Sequence, residues 1–327
     1  MIERETIKRG GRRVAAAMTE FFTAPASSKP LAVFRIGLAA VLLAQAFALA
    51  ANVTDLFGRE GLIQWDVTYD GTDRSAMAWA YPHLSWFDGL FATLGLSETV
   101  GVYVMFSLYV TSLVFLLVGF KTRAACIATF ALQLILSNSS PATVYGVDSF
   151  ARVSLFYALW MPLGAVYSID AILQRGGAVN SSAARIGLRF LQLHMALMYL
   201  ASGIEKGMGA QWWDGEAIWR AVTMPELAQY DMMWLANYPW LPILLGWATV
   251  ILEVSYIAAV CNRRTRLPIV LAVIGMHLGI ALFLGLVSFA SLMIVLNVSA
   301  FLIPSEPTSL KQTAAQFTPQ SIAAVAA

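Results

Sequence analysis

Lys206, Glu253 and His277 are the residues of this sequence best suited to move a proton. They are an amine, a carboxylate and an imidazole, each inside or at the end of a long apolar stretch. A charged group at the centre of a membrane helix costs a few kcal/mol to insert, so each one there needs a reason. Arg35 and His194 share this setting, and Asp148, Arg152 and Glu205 stand with Lys206 at the ends of apolar stretches. At a rise of about 1.5 Å per residue, His194 lies roughly 11 Å from one edge of the apolar layer, Glu253 roughly 12 Å and His277 roughly 15 Å. These three side chains therefore share a level. A Glu253–His277 contact in low dielectric would shift the proton affinity of both. The competing reading is structural, with each group bonding a local backbone or hydroxyl partner between helices. His194 suits that second role. Arg35, one turn inside its span, is expected to snorkel to the headgroups.

Lys206 closes an apolar stretch. In that position a lysine anchors a helix end at the interface and complements the helix dipole. Apolar surroundings also lower a lysine's affinity for its proton and make it a usable base near neutral pH. The adjacent Glu205 would oppose that effect. Asp148 and Arg152 are four residues apart, so on a helix they face each other, and a local ion pair capping that helix is expected.

The elements that must position these residues are membrane helices. Of 327 residues, 59% are apolar and 12% charged, with mean hydropathy +0.69. A soluble domain carries roughly a quarter charged residues, so the composition argues against a cytosolic enzyme, a nucleic-acid binder and a disordered chain. About 20 predominantly apolar residues cross a bilayer as a helix. Eight candidate spans follow: 31–52, 100–120, 124–140, 151–168, 187–205, 241–261, 267–286 and 288–304. The run from Pro268 to Pro304 is too long for one crossing and is split at a tight turn near Gly285–Phe289. The fold class expected is therefore all-α, a polytopic helical membrane protein with about eight transmembrane helices. Fifteen of the 21 basic residues fall in alternate connections, and seven acidic residues share the loop 53–99. This positive-inside pattern predicts that both termini are cytoplasmic and that loops 53–99 and 206–240 face outward. Those two loops hold eight of the ten Trp, as interfacial segments do.

Three regions result: a basic cytoplasmic segment 1–29, a transmembrane domain 30–304 and a disordered cytoplasmic tail 305–327. A second reading treats residues 1–50 as a signal peptide cleaved after Ala48-Leu-Ala50, although its apolar run is long for that. Cys126 and Cys261 are expected to be small, buried and reduced, with no redox pair or metal framework. The Asn-X-Ser/Thr sites at Asn52, Asn138, Asn180 and Asn297 fall at span ends, in a span or on the cytoplasmic side, and read as chance matches. The sequence carries no nucleotide loop, nucleophile elbow or zinc motif.

The stretch Tyr199-Leu-Ala-Ser-Gly203-Ile-Glu-Lys206, followed by Trp213-Asp-Gly215, resembles the signature of the HTTM family, the membrane core shared with vitamin K-dependent gamma-carboxylases. Gly119-Phe-Lys-Thr-Arg123, Gly146-Val-Asp148 with Arg152, Pro162-Leu-Gly164 and Tyr167-Ser-Ile-Asp170 resemble further family blocks in the same order. His277 followed twelve residues later by Phe289 resembles the carboxylases' late helical hairpin. The resemblance runs from about residue 30 to 304. It implies a cell-membrane, multi-pass protein with Lys206 as the base that deprotonates a reduced naphthoquinone of the vitamin K type, and with no metal. His277 and Glu253 would be orienting groups. Asp148, Arg152, His194, Trp213 and Phe289 are the further site candidates. With only residues 305–327 after the last expected span, the large extracytoplasmic domain of the carboxylases is not expected here. Three functions stay open: a quinol-using membrane enzyme, an accessory protein for a secreted peptide similar to sporulation-delaying protein B, and a non-catalytic binding or transport module. The partners implied are the lipid bilayer, a secreted peptide or another membrane subunit, and no nucleic acid.

Overall fold

The computed structural model describes residues 16–67, 81–175 and 177–307. Most of the basic N-terminal segment, and the tail from residue 308 on, lie outside them. Eight main helices carry the eight apolar stretches: α1 Lys29–Leu49, α2 Glu98–Val118, α3 Thr122–Ser139, α4 Gly146–Ala158, α5 Ser182–Met208, α6 Trp240–Cys261, α7 Arg266–Leu284 and α8 Val287–Asn297. A two-residue antiparallel ribbon joins β1 Ala26–Ser27 to β2 Asn180–Ser181.

Four helices are long and apolar enough to cross a membrane: Lys29–Phe57 with its short extension, α2, α6 and α7. The other four depart from the expected spans in instructive ways. α5 is long, at 27 residues, but carries charges at both ends. α3 has 18 residues, and α8 runs as a shorter apolar helix to Leu302. α4 is the clearest correction. The span expected at 151–168 begins five residues earlier and stops at Ala158, after 13 residues. Pro162 and Gly164 follow, and neither sustains a helix. The expected break in the last apolar run is present. α7 ends at Gly285, whose φ of 70° a glycine adopts without strain, and α8 begins at Val287.

The packing of α7 inverts that of a soluble protein. Leu267, Leu271, Leu278 and Leu282 each expose more than half their surface, while His277 on the same helix is 3% exposed. Leu244, Leu245 and Ile251 on α6 are exposed in the same way. Leucines outside and a histidine inside is the arrangement that lipid selects. At the centre, α1 buries Leu31, Phe34, Leu38 and Leu42 against α2, α4 and α8, so the stretch that could be read as a signal core is the middle of the bundle.

One end of the bundle gathers the basic connections. Arg35 is fully buried; it does not snorkel. Its Nη1 donates to Leu116 O at 3.1 Å and its Nη2 to Tyr167 O, joining α1 to the end of α2 and to the α4–α5 link. A helix C-terminus leaves carbonyls without partners, and here a buried guanidinium takes one. Asp170 caps α3 from outside, accepting from Lys121 N at 2.9 Å and from Thr122 N and Oγ1 at 2.7 Å each. Arg185 on α5 reaches Ala24 O at 2.9 Å. Cys126 is buried as expected, whereas Cys261, the last residue of α6, is exposed, although Val260 beside it is buried.

At the other end, the loop between α1 and α2 is pinned to α3. Leu84 N donates to Ser139 Oγ at 2.8 Å, and Asn138 Nδ2 to Pro82 O at 3.1 Å. His83 is buried there, its ring edge-on to Trp65 at 5.5 Å and its Nδ1 accepting from Ser85 N at 3.1 Å. Burial pushes the His83 pKa down from 6.5 to about 4. The unfolded chain therefore takes this proton first. The stability tied to the neutral ring is complete above the unfolded value and is lost as pH falls toward the folded one. The expected result is a thermal midpoint that drops between pH 6.5 and pH 4. The drop should be smaller in His83→Phe, and an equal drop in both proteins would remove His83 as its cause.

Candidate functional site

On α5, Tyr199, Ser202, Gly203 and Lys206 recur at intervals of three and four, so they share one face. That face meets α6, the most extensive helix contact in the bundle. Gly203 permits the approach: a methyl group there would lie 2.8 Å from Val254 N and 2.9 Å from Glu253 Cβ. Small residues let membrane helices close up in this way.

Lys206 Nζ lies 2.9 Å and 3.2 Å from the two carboxylate oxygens of Glu253. The Glu253 side chain is 6% exposed and that of Lys206 23%. The ammonium also donates to Ser202 Oγ, one turn back, and sits 5.3 Å from the centroid of the Trp212 ring. A cation near the face of an indole is attracted by its quadrupole. Glu205, beside Lys206 in sequence, is exposed. The carboxylate that acts on the lysine therefore comes from α6.

The Glu253–His277 contact envisaged from sequence is not the one formed. Glu253 takes Lys206, and His277 Nε2 lies 2.9 Å from the Tyr199 hydroxyl. Asn297 on α8 completes the cluster. Its Nδ2 donates to Tyr199 OH at 2.9 Å and to Met293 O at 2.8 Å, and its Oδ1 accepts from Tyr256 OH at 2.6 Å. The Tyr199 and Tyr256 rings pack 4.4 Å apart. Tyr199 already accepts from Asn297, so its own proton is free for His277 Nε2. With that proton donated to Nε2, the neutral imidazole carries its hydrogen on Nδ1. Nδ1 is buried and has no hydrogen-bond partner. A buried donor left open normally costs about 1–3 kcal/mol, so it marks a place for an acceptor.

Phe289 meets the His277 ring edge-on at 5.7 Å and packs on Phe150 of α4 at 5.9 Å. Trp213 lies beside the cluster, its Nε1 donating to Gly207 O at 2.8 Å and its ring against Trp247 at 5.6 Å. His194 stands apart, 3.4 Å from the Tyr157 hydroxyl.

Asp148 and Arg152 belong to a second polar cluster, and no ion pair joins them among the described residues. Asp148 accepts from Gln45 Nε2 at 3.2 Å, Gln133 Nε2 at 3.1 Å and Tyr145 N at 3.1 Å. The last bond caps α4, which is the capping role expected of the ion pair, made by the carboxylate alone. Arg152 Nε is buried without a hydrogen bond.

Sequence reasoning missed Ser202, Tyr199, Tyr256, Trp212 and Asn297 as members of the site. Asn297 carried a readable signal: an amide in the middle of an apolar run is costly unless bonded.

A family model described as the HTTM domain matches residues 24–304, a range that holds all eight helices and both polar clusters. No curated protein and no solved structure matches the chain. Coverage of most of the sequence by that one model places the chain in the HTTM domain family.

Proposed function

We propose that this protein is a multi-pass cell-membrane protein with eight crossings, its basic end cytoplasmic, and that the Lys206–Glu253 pair takes a proton from a lipid-soluble acidic hydroxyl compound, a reduced naphthoquinone. The observation that carries the reading is the ion pair itself, at 2.9 Å and 3.2 Å with a carboxylate 6% exposed. Desolvating two charges costs several kcal/mol each, and apolar residues of similar size would hold the helices at least as well. Use as a proton site gives the pair a purpose beyond holding the helices together.

The chemistry shifts the role expected for Lys206. An ammonium already bonded to a carboxylate is not a free base, so the proton goes to a Glu253 oxygen. Lys206 then remains as the positive charge facing the anion left behind, stabilised in a site with little water. His277 Nδ1–H offers a hydrogen bond to a second oxygen of the same compound, and Phe289 and Trp212 present rings to a flat bicycle. When bound, the reduced naphthoquinone supplies the acidic hydroxyl and a pair of electrons. The family likeness brings with it oxygen as the oxidant that would take those electrons, and a carboxyl-bearing side chain on a secreted peptide that would lose a proton and gain carbon dioxide.

The test is a lipid extract of protein purified from membranes that contain a naphthoquinone. We expect the quinone to co-purify at close to one per chain, and His277→Ala to reduce it about tenfold, the effect of losing roughly 1.4 kcal/mol. No bound quinone, or equal amounts in both proteins, overturns the reading.

A further inference from the structure

We propose that a second cavity, at the basic end of the bundle and far in sequence from Lys206, binds the phosphate headgroup of an anionic phospholipid. The cavity has a volume of about 250 Å³ and lies between the start of α3 and the segment that follows α4. Arg123 and Arg175 line it, both exposed, and neither guanidinium makes a hydrogen bond or an ion pair among the described residues. Two free forks of N–H donors suit the oxygens of a phosphate, which arginine binds in bidentate fashion.

The one carboxylate on the wall, Asp170, attracts Arg175 through space but makes no ion pair with it within 4 Å among the described residues. Both Asp170 oxygens are taken up by Lys121 N, Thr122 N and Thr122 Oγ1. Apart from Thr122, whose hydroxyl bonds Asp170, the rest of the lining is apolar, with Cys126, Met161 and Leu163 among it, and a bare inorganic ion gains nothing from such a floor. The glycerol and first methylenes of a lipid do.

The segments that supply the lining carry exposed apolar residues that suit the same class of ligand. Trp160 precedes Met161 in the lining segment and is 72% exposed. Ile172, three residues before Arg175, is 80% exposed. An exposed tryptophan and isoleucine in the segments that also carry the two arginines are the residue types found at headgroup level. Lys121, exposed next to Arg123 on the sequence side, adds a third positive charge. The site is independent of the quinone reading, since it shares no residue with the Lys206 cluster.

The experiment uses the full chain, purified and delipidated in detergent, and offers it phosphatidylglycerol or phosphatidylcholine at equal concentration. Retention is read by native mass spectrometry and stability by thermal unfolding. Phosphatidylglycerol is expected to be retained about tenfold better. The Arg123→Ala/Arg175→Ala protein should lose that preference, while Arg263→Ala/Arg264→Ala, on another basic connection, should keep it. If the alanine pair does not purify, Arg123→Gln and Arg175→Gln singly are each expected to reduce the preference about threefold. Equal retention of the two lipids by the unaltered protein, or a preference that survives loss of both arginines, overturns the proposal. So does an arginine-dependent stabilisation by millimolar inorganic phosphate as large as that by the lipid, which would make this a free-phosphate site.

Discussion

Lys206→Met and Glu253→Leu are each expected to abolish activity and to destabilise the protein, whereas the double variant is expected to regain the stability and not the activity. Removing one member of a buried pair leaves the other charge without compensation, at a cost of about 3–5 kcal/mol. The two single variants should not be equal. Glu253 is the more deeply buried partner, so Lys206→Met, which strands the carboxylate, should cost more than Glu253→Leu, which strands a partly exposed ammonium. In the double variant two apolar side chains fill the α5–α6 contact beside Gly203, and apolar replacements of buried pairs are often neutral. If the pair were only a staple between helices, function would return with stability. For a proton site the loss should stay near 10²–10⁴-fold, about the share general acid–base catalysis contributes. A double variant that is both stable and active sinks the proton reading and leaves the helix contact as the whole purpose of the pair.

How the sequence and the site relate is clearest at three positions. The break at Gly285 was legible because no single helix of the length Pro268–Pro304 fits a bilayer, and glycine is the residue that turns at positive φ. The Lys206–Glu253 pairing was not legible. Depths counted from each helix's own end assume a common frame, but a lysine side chain points back toward its helix's N-terminus and reaches about a turn inward. Asn297 carries no ionisable group to mark it in an apolar run, yet it ties Tyr199 to Tyr256. Arg35 shows a further limit. Whether a buried cation snorkels or finds carbonyls depends on the end of α2, 81 residues away, and composition carries no trace of that. The family blocks around Gly119, Thr122, Tyr167 and Asp170 turn out to hold one knot at the basic end, and they take no part in the Lys206 cluster.

That knot makes Gly119→Ala the substitution expected to destabilise this fold most for a single added methyl group. Gly119 follows α2 at φ 70°, where Phe120 N returns to Phe115 O at 2.9 Å and closes the helix. An alanine in the left-handed region costs about 1–2 kcal/mol by itself. Here the methyl group would also collide with Arg35 Nη1 and Ser168 Cβ. Arg35 cannot simply move aside, because it is fully buried and its Nη groups serve Leu116 O and Tyr167 O. Displacing it leaves a cation in the interior short of acceptors, a loss of about 3–5 kcal/mol on the scale of other broken buried charge contacts. Gly95 supplies the control. Its φ is 68°, yet nothing lies within 4 Å of where its methyl group would be. Gly95→Ala should therefore show the backbone strain alone, and the difference in thermal midpoint between the two variants measures the displacement of Arg35. Arg35→Met/Gly119→Ala should recover part of that difference, since an uncharged, flexible side chain can yield to the new methyl group. If Gly119→Ala and Gly95→Ala melt together, the guanidinium is not what holds α1 to the end of α2.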